Sequence, residues 1–169
     1  MKRPTVTQKD VQFFTSEQLR DFLDESKDHR LGFAFELIAR TGLRKGEALA
    51  LKRKDVDFKQ RQIRIRETLS RQGRSLVTGP VKTAKSRRTI PLSDRLVDVL
   101  TAWKAQQQQE RATASNQYVV SDFVVTSQLG GPMDPRNFLR LFQIFAQRAG
   151  LEGNVHTLRH SAASVMLTN

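Results

Sequence analysis

Residues 62–68 read Q-I-R-I-R-E-T. Ile63 and Ile65 alternate with Arg64 and Arg66, so one face of the segment is apolar and the other cationic. A period of two predicts a half-buried strand, its apolar face on a core and its basic face toward solvent or an anion. Neighbouring stretches carry the same character in shorter runs: Val56 and Phe58 before it, residues 75–81 and 87–92 after it, the last two joined by a turn around 82–86. Together they predict a small antiparallel sheet rich in basic side chains.

Outward from this sheet the periodicity becomes helical. Thr15 with Gln18 forms a capping box, and Phe14 with Leu19 is placed for a hydrophobic staple. Leu19, Phe22 and Leu23 then predict an amphipathic helix over 16–28. A second helix, over 31–41, is apolar on several sides through Phe33, Phe35, Leu37 and Ile38, and Gly42 stands where a C-cap glycine belongs. A short helix follows at 44–50. On the other side of the sheet, Ser93 opens a helix carrying Leu96, Val97, Leu100 and Trp103. That helix is expected to fade in the Gln106–Gln109 run, leaving a loop over 111–117. Residues 118–126 read as one short strand or a buried segment. Asp134 and Pro135 start a helix with Phe138, Leu141, Phe142 and Phe145 on one stripe and Gly150 closing it. A last helix is expected near Thr157, capped by its hydroxyl. The expected fold class is mixed, mainly α with a small antiparallel β-sheet, in one domain without internal repeats.

The charge is uneven. The 169 residues hold 29 Lys+Arg against 17 Asp+Glu, a net charge of +12. Residues 40–95 hold 17 of the basic groups and five of the acidic ones, and so carry the whole excess. A localised basic field attracts a polyanion through steering and counterion release, which favours nucleic acid as partner. A membrane surface fits less well, because the basic stretch is strand-like and lacks an apolar helical face. A merely soluble basic surface is the remaining reading. With no cysteine in the chain, disulfides, Cys zinc sites, Fe–S ligation and thiol catalysis are excluded. No run of about 20 apolar residues predicts a transmembrane helix, and Lys2 and Arg3 are not followed by the apolar stretch of a secretory signal. A soluble intracellular protein is expected.

Three clusters carry candidate chemistry. In T-G-L-R-K-G-E-A-L (41–49), Arg44 falls at a helix start, where a cation is unfavourable to the helix dipole unless an anion is shared there. A salt bridge to Glu47 is the alternative, with Glu47 a local structural partner. In V-K-T-A-K-S-R-R-T-I-P-L (81–92), Lys82, Lys85, Arg87 and Arg88 crowd a turn and the following strand, within reach of a phosphate or groove, or simply solvated. In H-T-L-R-H (156–160), His156 and Arg159 lie near the exposed N–H groups of a helix start, a phosphate-binding arrangement. His156 and His160 share a helical spacing but have no third ligand nearby, so no metal site is expected.

In this order the three motifs resemble the catalytic domain of tyrosine recombinases, especially phage-type integrases. The pattern T-G-x-R-x-x-E-x-x-x-L is met by T-G-L-R-K-G-E-A-L-A-L, the hairpin-lysine pattern by K-T-A-K-S-R-R-T-I-P-L, and H-x-L-R-H by H-T-L-R-H. The segments G-G-P-M-D-P-R-N-F and R-A-G-L are also similar, and the resemblance covers about residues 13 to 169. It implies that Arg44, Lys82, His156 and Arg159 are catalytic, that Lys45, Arg64, Arg66, Lys85, Arg87 and Arg88 contact DNA, and that Glu47 and His160 support the site. It implies site-specific DNA strand exchange through a 3′-phosphotyrosyl intermediate, no metal and no cofactor, and double-stranded DNA as partner. The complete recombinase would assemble as a homotetramer, the fragment as a monomer, in the cytoplasm of a bacterial or phage-infected cell at the nucleoid.

Family members carry more chain after H-x-L-R-H, including a G-H motif and the nucleophilic tyrosine. The one tyrosine here, Tyr118, lies before His156 and is expected to pack at the edge of a buried segment. Ser161 and Ser164 are expected to be plain helix residues. Residues 1–12 are expected to be a linker remnant, and 13–169 a partial catalytic domain that binds DNA weakly without completing catalysis. The alternatives are a non-catalytic DNA-binding or regulatory protein on the same scaffold, or a scaffold for protein assembly.

Overall fold

Helix α1 (Ser16–Ser26) begins at the expected box: Thr15 Oγ1 accepts from Gln18 N at 3.2 Å, and Gln18 Oε1 accepts from Thr15 N at 3.0 Å. The structure, a computed structural model, describes residues 13–166, with side chains through Ala162. The linker expected over 1–12 lies outside the described residues. Helix α2 (Gly32–Thr41) follows, and Phe33, Ala34, Phe35, Leu37, Ile38 and Ala39 are all buried along it. Its breadth of apolar surface makes it the central element. Phe35 sits among the rings of Phe22, edge-on at 5.4 Å, and Phe138, stacked at 4.7 Å, with Phe142 and Phe145 just beyond 6 Å. Gly42 ends α2 at φ +74°, the left-handed conformation a side chain would oppose.

Helix α3 (Lys45–Ala50) leads into the strands β1 (Val56–Asp57), β2 (Gln62–Ile65), β3 (Glu67–Gln72), β4 (Ser75–Pro80) and β5 (Arg88–Pro91). They form two sheets rather than the expected one. The first is antiparallel in the order β1-β2-β5, with Ile63 opposite both Val56 and Ile90. The second is the β3–β4 hairpin. Ile65 and Leu69 keep the same parity with Glu67 between them, and pairing changes at Arg66, where the chain leaves β5 and takes β4 as partner. The hairpin then lies against α3. A Cβ on Gly46 would fall 2.3 Å from Thr68 Oγ1 and 3.0 Å from Leu69 O, so only glycine permits that approach. Gly46→Ala is expected to lower unfolding stability by about 1–3 kcal/mol through overpacking, despite alanine's better helix propensity. Chemical denaturation of the two proteins measures it. Because β4 and β5 belong to different sheets, residues 81–87 bridge the sheets, and the basic turn is not the tip of a β4–β5 hairpin.

Helix α4 (Asp94–Ala114) starts under the Ser93 hydroxyl and runs well past the glutamines where it was expected to fade. Remote partners hold its last turns. Gln107 is buried and donates to Thr126 Oγ1 at 2.9 Å. Glu110 takes both Nε and Nη2 of Arg30, at 2.7 and 2.8 Å, while Arg30 lies over the Trp103 ring. Residues 118–126 make only isolated bridges, Lys52 with Phe123 and Thr126 with Pro132. Val124 and Val125 are buried there, but Val119 and Val120 are exposed.

Asp134 and Pro135 start α5 (Pro135–Arg148) as expected, and Arg71 of β3 pairs with the same Asp134 carboxylate. Helix α6 (Val155–Met166) begins two residues before Thr157. Asn154 Oδ1 accepts from Thr157 N at 3.3 Å, and Thr157 Oγ1 accepts from Asn154 N at 3.0 Å. Asn154 is thus the cap, Thr157 the reciprocal partner, and His156 lies inside the first turn rather than outside the helix. Helix α6 packs across α2, and buried Ser161 ties it to the start of α1 by accepting from Phe14 N at 2.9 Å.

Candidate nucleic-acid interface

The site is organised by one buried carboxylate. Glu47 of α3 is 2% exposed, and its Oε1 accepts from Arg44 N at 2.9 Å, closing the first turn of that short helix. Arg88 reaches over from β5 and grips the same carboxylate, Nη1 to Oε2 at 2.7 Å and Nη2 to Oε1 at 3.2 Å. The Arg44 guanidinium stands off at 4.0 Å from Oε1 and is half exposed. Glu47 is therefore matched chiefly by Arg88, and Arg44 presents its charge outward.

Arg159, on the first turns of α6, is oriented by a different element. Its Nε donates to the Gly42 carbonyl at 2.8 Å. A Cβ on Gly42 would lie 3.5 Å from the Ala162 Cβ, so the C-cap of α2 sits directly under α6. Burial pushes the Arg159 pKa down, Arg44 and Arg88 push the same way, and Glu47 opposes them. His156 on the same helix is lowered from 6.5 by burial first, then by Lys45, His160, Arg159 and Arg44, which favours neutral imidazole at pH 7. Arg44, Lys45, Arg88, His156, Arg159 and His160 thus share one electrostatic neighbourhood around Glu47. The four cations among them, Arg44, Lys45, Arg88 and Arg159, with one buried countercharge suit an added anion.

Lys82, Lys85 and Arg87 are placed differently. All three are exposed on the 81–87 bridge, with no ion pair or side-chain hydrogen bond among the described residues. Arg64 and Arg66 extend the basic surface, the first 3.9 Å from Asp57 and the second 3.3 Å from buried Asp55. With Ile65, Arg87, Arg88 and Thr89 they line an open concavity of about 380 Å³. Tyr118 is half-buried, and its ring lies 2.6 Å from where a Gly130 Cβ would be, a packing position. Among the described residues no group of three or more His, Asp or Glu side chains could hold a metal ion, and no helix is long and apolar enough to cross a membrane. The Gly42 carbonyl and the Asn154 cap were not among the expected site groups. The second has a sequence signature, N-x-x-T, while the first is a backbone atom whose partner lies 117 residues away.

Burial raises the Glu47 pKa, but the Arg88 hydrogen bonds, the Arg44 backbone and the two guanidinium charges outweigh it and hold the carboxyl below 4.5. The unfolded chain therefore binds this proton more tightly than the folded one. The contribution of Glu47 to stability is complete above about pH 4.5 and falls as pH drops through the folded value. Glu47→Gln is expected to flatten the stability–pH curve below pH 4.5, measured by urea denaturation at stepped pH.

Residues 12–169 match the model of the phage integrase family. The chain is 30% identical over 169 residues to a tyrosine recombinase XerC-like protein of Caldanaerobacter subterraneus subsp. tengcongensis, covering 92% of this chain and 43% of that protein. It is 32% identical over 160 residues to the integrase of Staphylococcus phage L54a, covering 88% and 45%. The chain spans less than half the length of these relatives. Among solved structures, a Tn1549 transposon integrase in complex with transposon right-end DNA aligns at TM-score 0.80 and 19% identity, over 99% of this chain and 58% of that one. XerA recombinase aligns at 0.68 and 21%, over 99% and 52%. The fold is that of the tyrosine recombinase catalytic domain.

Proposed function

The chain belongs to the phage integrase family, and on that premise we propose that it is the phosphate-gripping portion of a site-specific DNA recombinase. The observation that carries this reading is the convergence of Arg44 and Arg159, set by Glu47 and the Gly42 carbonyl at one side of the basic surface. A scissile phosphate between these guanidinia has its nonbridging oxygens neutralised as negative charge grows in the transition state. A tyrosine oxygen bonds to phosphorus while the bond to the 5′ oxygen breaks. Lys82 delivers a proton to that leaving oxygen, and His156, kept neutral, hydrogen-bonds the phosphate and assists proton transfer. The energy of the broken ester is kept in the 3′-phosphotyrosyl link, so a 5′ hydroxyl of another strand can reverse the step.

Arg64, Arg66, Lys45, Lys85, Arg87 and Arg88 would hold or frame the flanking duplex, with His160 behind the site. The Tn1549 integrase bound to transposon-end DNA and the XerH recombinase bound to its difH substrate support a DNA partner. The complete recombinase would act as a homotetramer on its site. The attacking tyrosine is supplied from outside these 169 residues, since Tyr118, the single tyrosine, is a packing residue.

The test uses this chain with labelled duplex DNA across a salt series, then with a nicked suicide substrate. Binding is expected to weaken steeply with salt, and no covalent adduct is expected. Absence of binding at about 50 mM salt would overturn the DNA reading, and a protein–DNA adduct would overturn the external nucleophile.

A further inference from the structure

We propose that Arg88 is a positioning residue: it locks the Lys82-bearing bridge between the two sheets onto the buried carboxylate that organises Arg44. This rests on the proposed function for its purpose, but not for its geometry. The bridge is fixed at its start, where Val81 N donates to Arg66 O at 3.2 Å. At its far end Arg88 Nη1 donates to Ser86 O at 3.0 Å while the same nitrogen donates to Glu47. Ser86 in turn closes a tight turn with Thr83: its N donates to Thr83 O at 3.0 Å, and the two hydroxyls lie 2.8 Å apart. Lys82 therefore stands between two anchored points, and at the second the guanidinium ties Ser86 back beyond the β2–β5 ladder, which starts only at Arg88.

The alternative for Arg88 is direct contact with a DNA phosphate. Its donors argue for the anchor. An arginine has five N–H groups, and Arg88 commits three of them to Glu47 and Ser86. Its charge is matched by a carboxylate that is 2% exposed, and its own side chain is 29% exposed. Arg44, by contrast, keeps its head group 4.0 Å from Glu47 and 51% exposed. One carboxylate thus has two arginines at unequal distance, the near one tying the bridge and the far one facing outward. A lysine at 88 would keep the charge but could not reproduce the two-oxygen fork together with the third bond to Ser86.

The test is amide hydrogen exchange over residues 82–87 in DNA-free protein, comparing the parent with Arg88→Lys and Glu47→Gln, alongside thermal melting. Exchange at Ser86, whose amide donates to Thr83 O, is expected to rise about tenfold in both variants, with Glu47→Gln remaining folded because the guanidinium it leaves without a carboxylate is 29% exposed and the Gln amide oxygen still accepts from it. Exchange within twofold of the parent in folded Arg88→Lys and Glu47→Gln would overturn the proposal. So would a faster bridge in Arg88→Lys alone, since the anchor runs through Glu47. If Arg88→Lys does not fold, Glu47→Gln alone decides by the same two thresholds. None of these readouts contains DNA, so failure of the parent chain to bind duplex DNA leaves them interpretable and bears only on the function proposed above.

Discussion

Duplex DNA is expected to bind the Arg44→Ala, Arg159→Ala double variant about a hundredfold more weakly than the parent chain. Under the proposed function each guanidinium would supply charge-assisted hydrogen bonds to phosphate, and losing one costs about 1.5 kcal/mol or more, about tenfold in affinity. Neither residue carries the core: Arg44 is half exposed, and Arg159 makes one described hydrogen bond, to Gly42 O. The double variant should therefore melt near the parent temperature. In the proposed function the two arginines share one phosphate, so the slope of log affinity against log salt should fall by about 1 rather than 2. Fluorescence anisotropy of a labelled duplex across salt measures both quantities. An affinity loss below about threefold would remove these residues from the DNA surface.

Phe35→Ala is the largest expected loss of stability, about 3–5 kcal/mol. The ring is fully buried and touches aromatic partners from α1 and α5. No neighbour is free to fill the hole, since Phe22, Phe138 and Phe142 are themselves fully buried, and Phe22 and Phe142 are packed on each other at 4.9 Å. A domain of this size loses about 2–4 °C in melting temperature per kcal/mol, so the midpoint should fall by about 10 °C. Circular dichroism melting measures it, with Ile144→Ala on α5 as control, because that side chain is 41% exposed. DNA binding at 25 °C should survive in the fraction still folded. Loss of binding without loss of the melting transition would place Phe35 in the interface instead of the core.

Three helix starts were legible because their caps are local, whereas at α6 the reciprocal Asn154–Thr157 pair makes Asn154, not the expected Thr157, the cap. Thr15 with Gln18, Ser93, and Asp134 with Pro135 each satisfy orphan N–H groups with a neighbour in sequence. The end of α4 was not legible, because Gln107 and Glu110 are held by Thr126 and Arg30, distant in sequence. Periodicity could not reveal the division of the sheet either. Ile63, Ile65 and Leu69 are buried at one parity, and the lone Glu67 among them fits one continued sheet as well as two, while the hydrogen-bonding partner changes at Arg66. At the site, residue types and order were readable in the three motifs, but the distribution of bonds was not. Spacing suggested Arg44 for Glu47, three residues away, whereas the shorter bonds come from Arg88, 41 residues away. Local spacing favours the near partner, and only the tertiary fold lets the Arg88 side chain reach from β5 to the carboxylate on α3.

The bond from Arg159 to the Gly42 carbonyl has a thermodynamic corollary. A C-terminal helix carbonyl has no intrahelical donor, so Gly42 offers an acceptor that the backbone cannot withdraw without unwinding α2. The guanidinium is consequently held in one rotamer before any ligand arrives. Immobilising a long side chain on association ordinarily costs about 0.5–1.5 kcal/mol, and here that ordering belongs to folding instead. Calorimetric titration of a short duplex should thus show a smaller entropic penalty at Arg159 than at Arg44, whose head group is half exposed and 4.0 Å from its carboxylate. Two arginines of identical chemistry would grip one anion with different thermodynamic signatures, one as a fixed wall and the other as a closing finger.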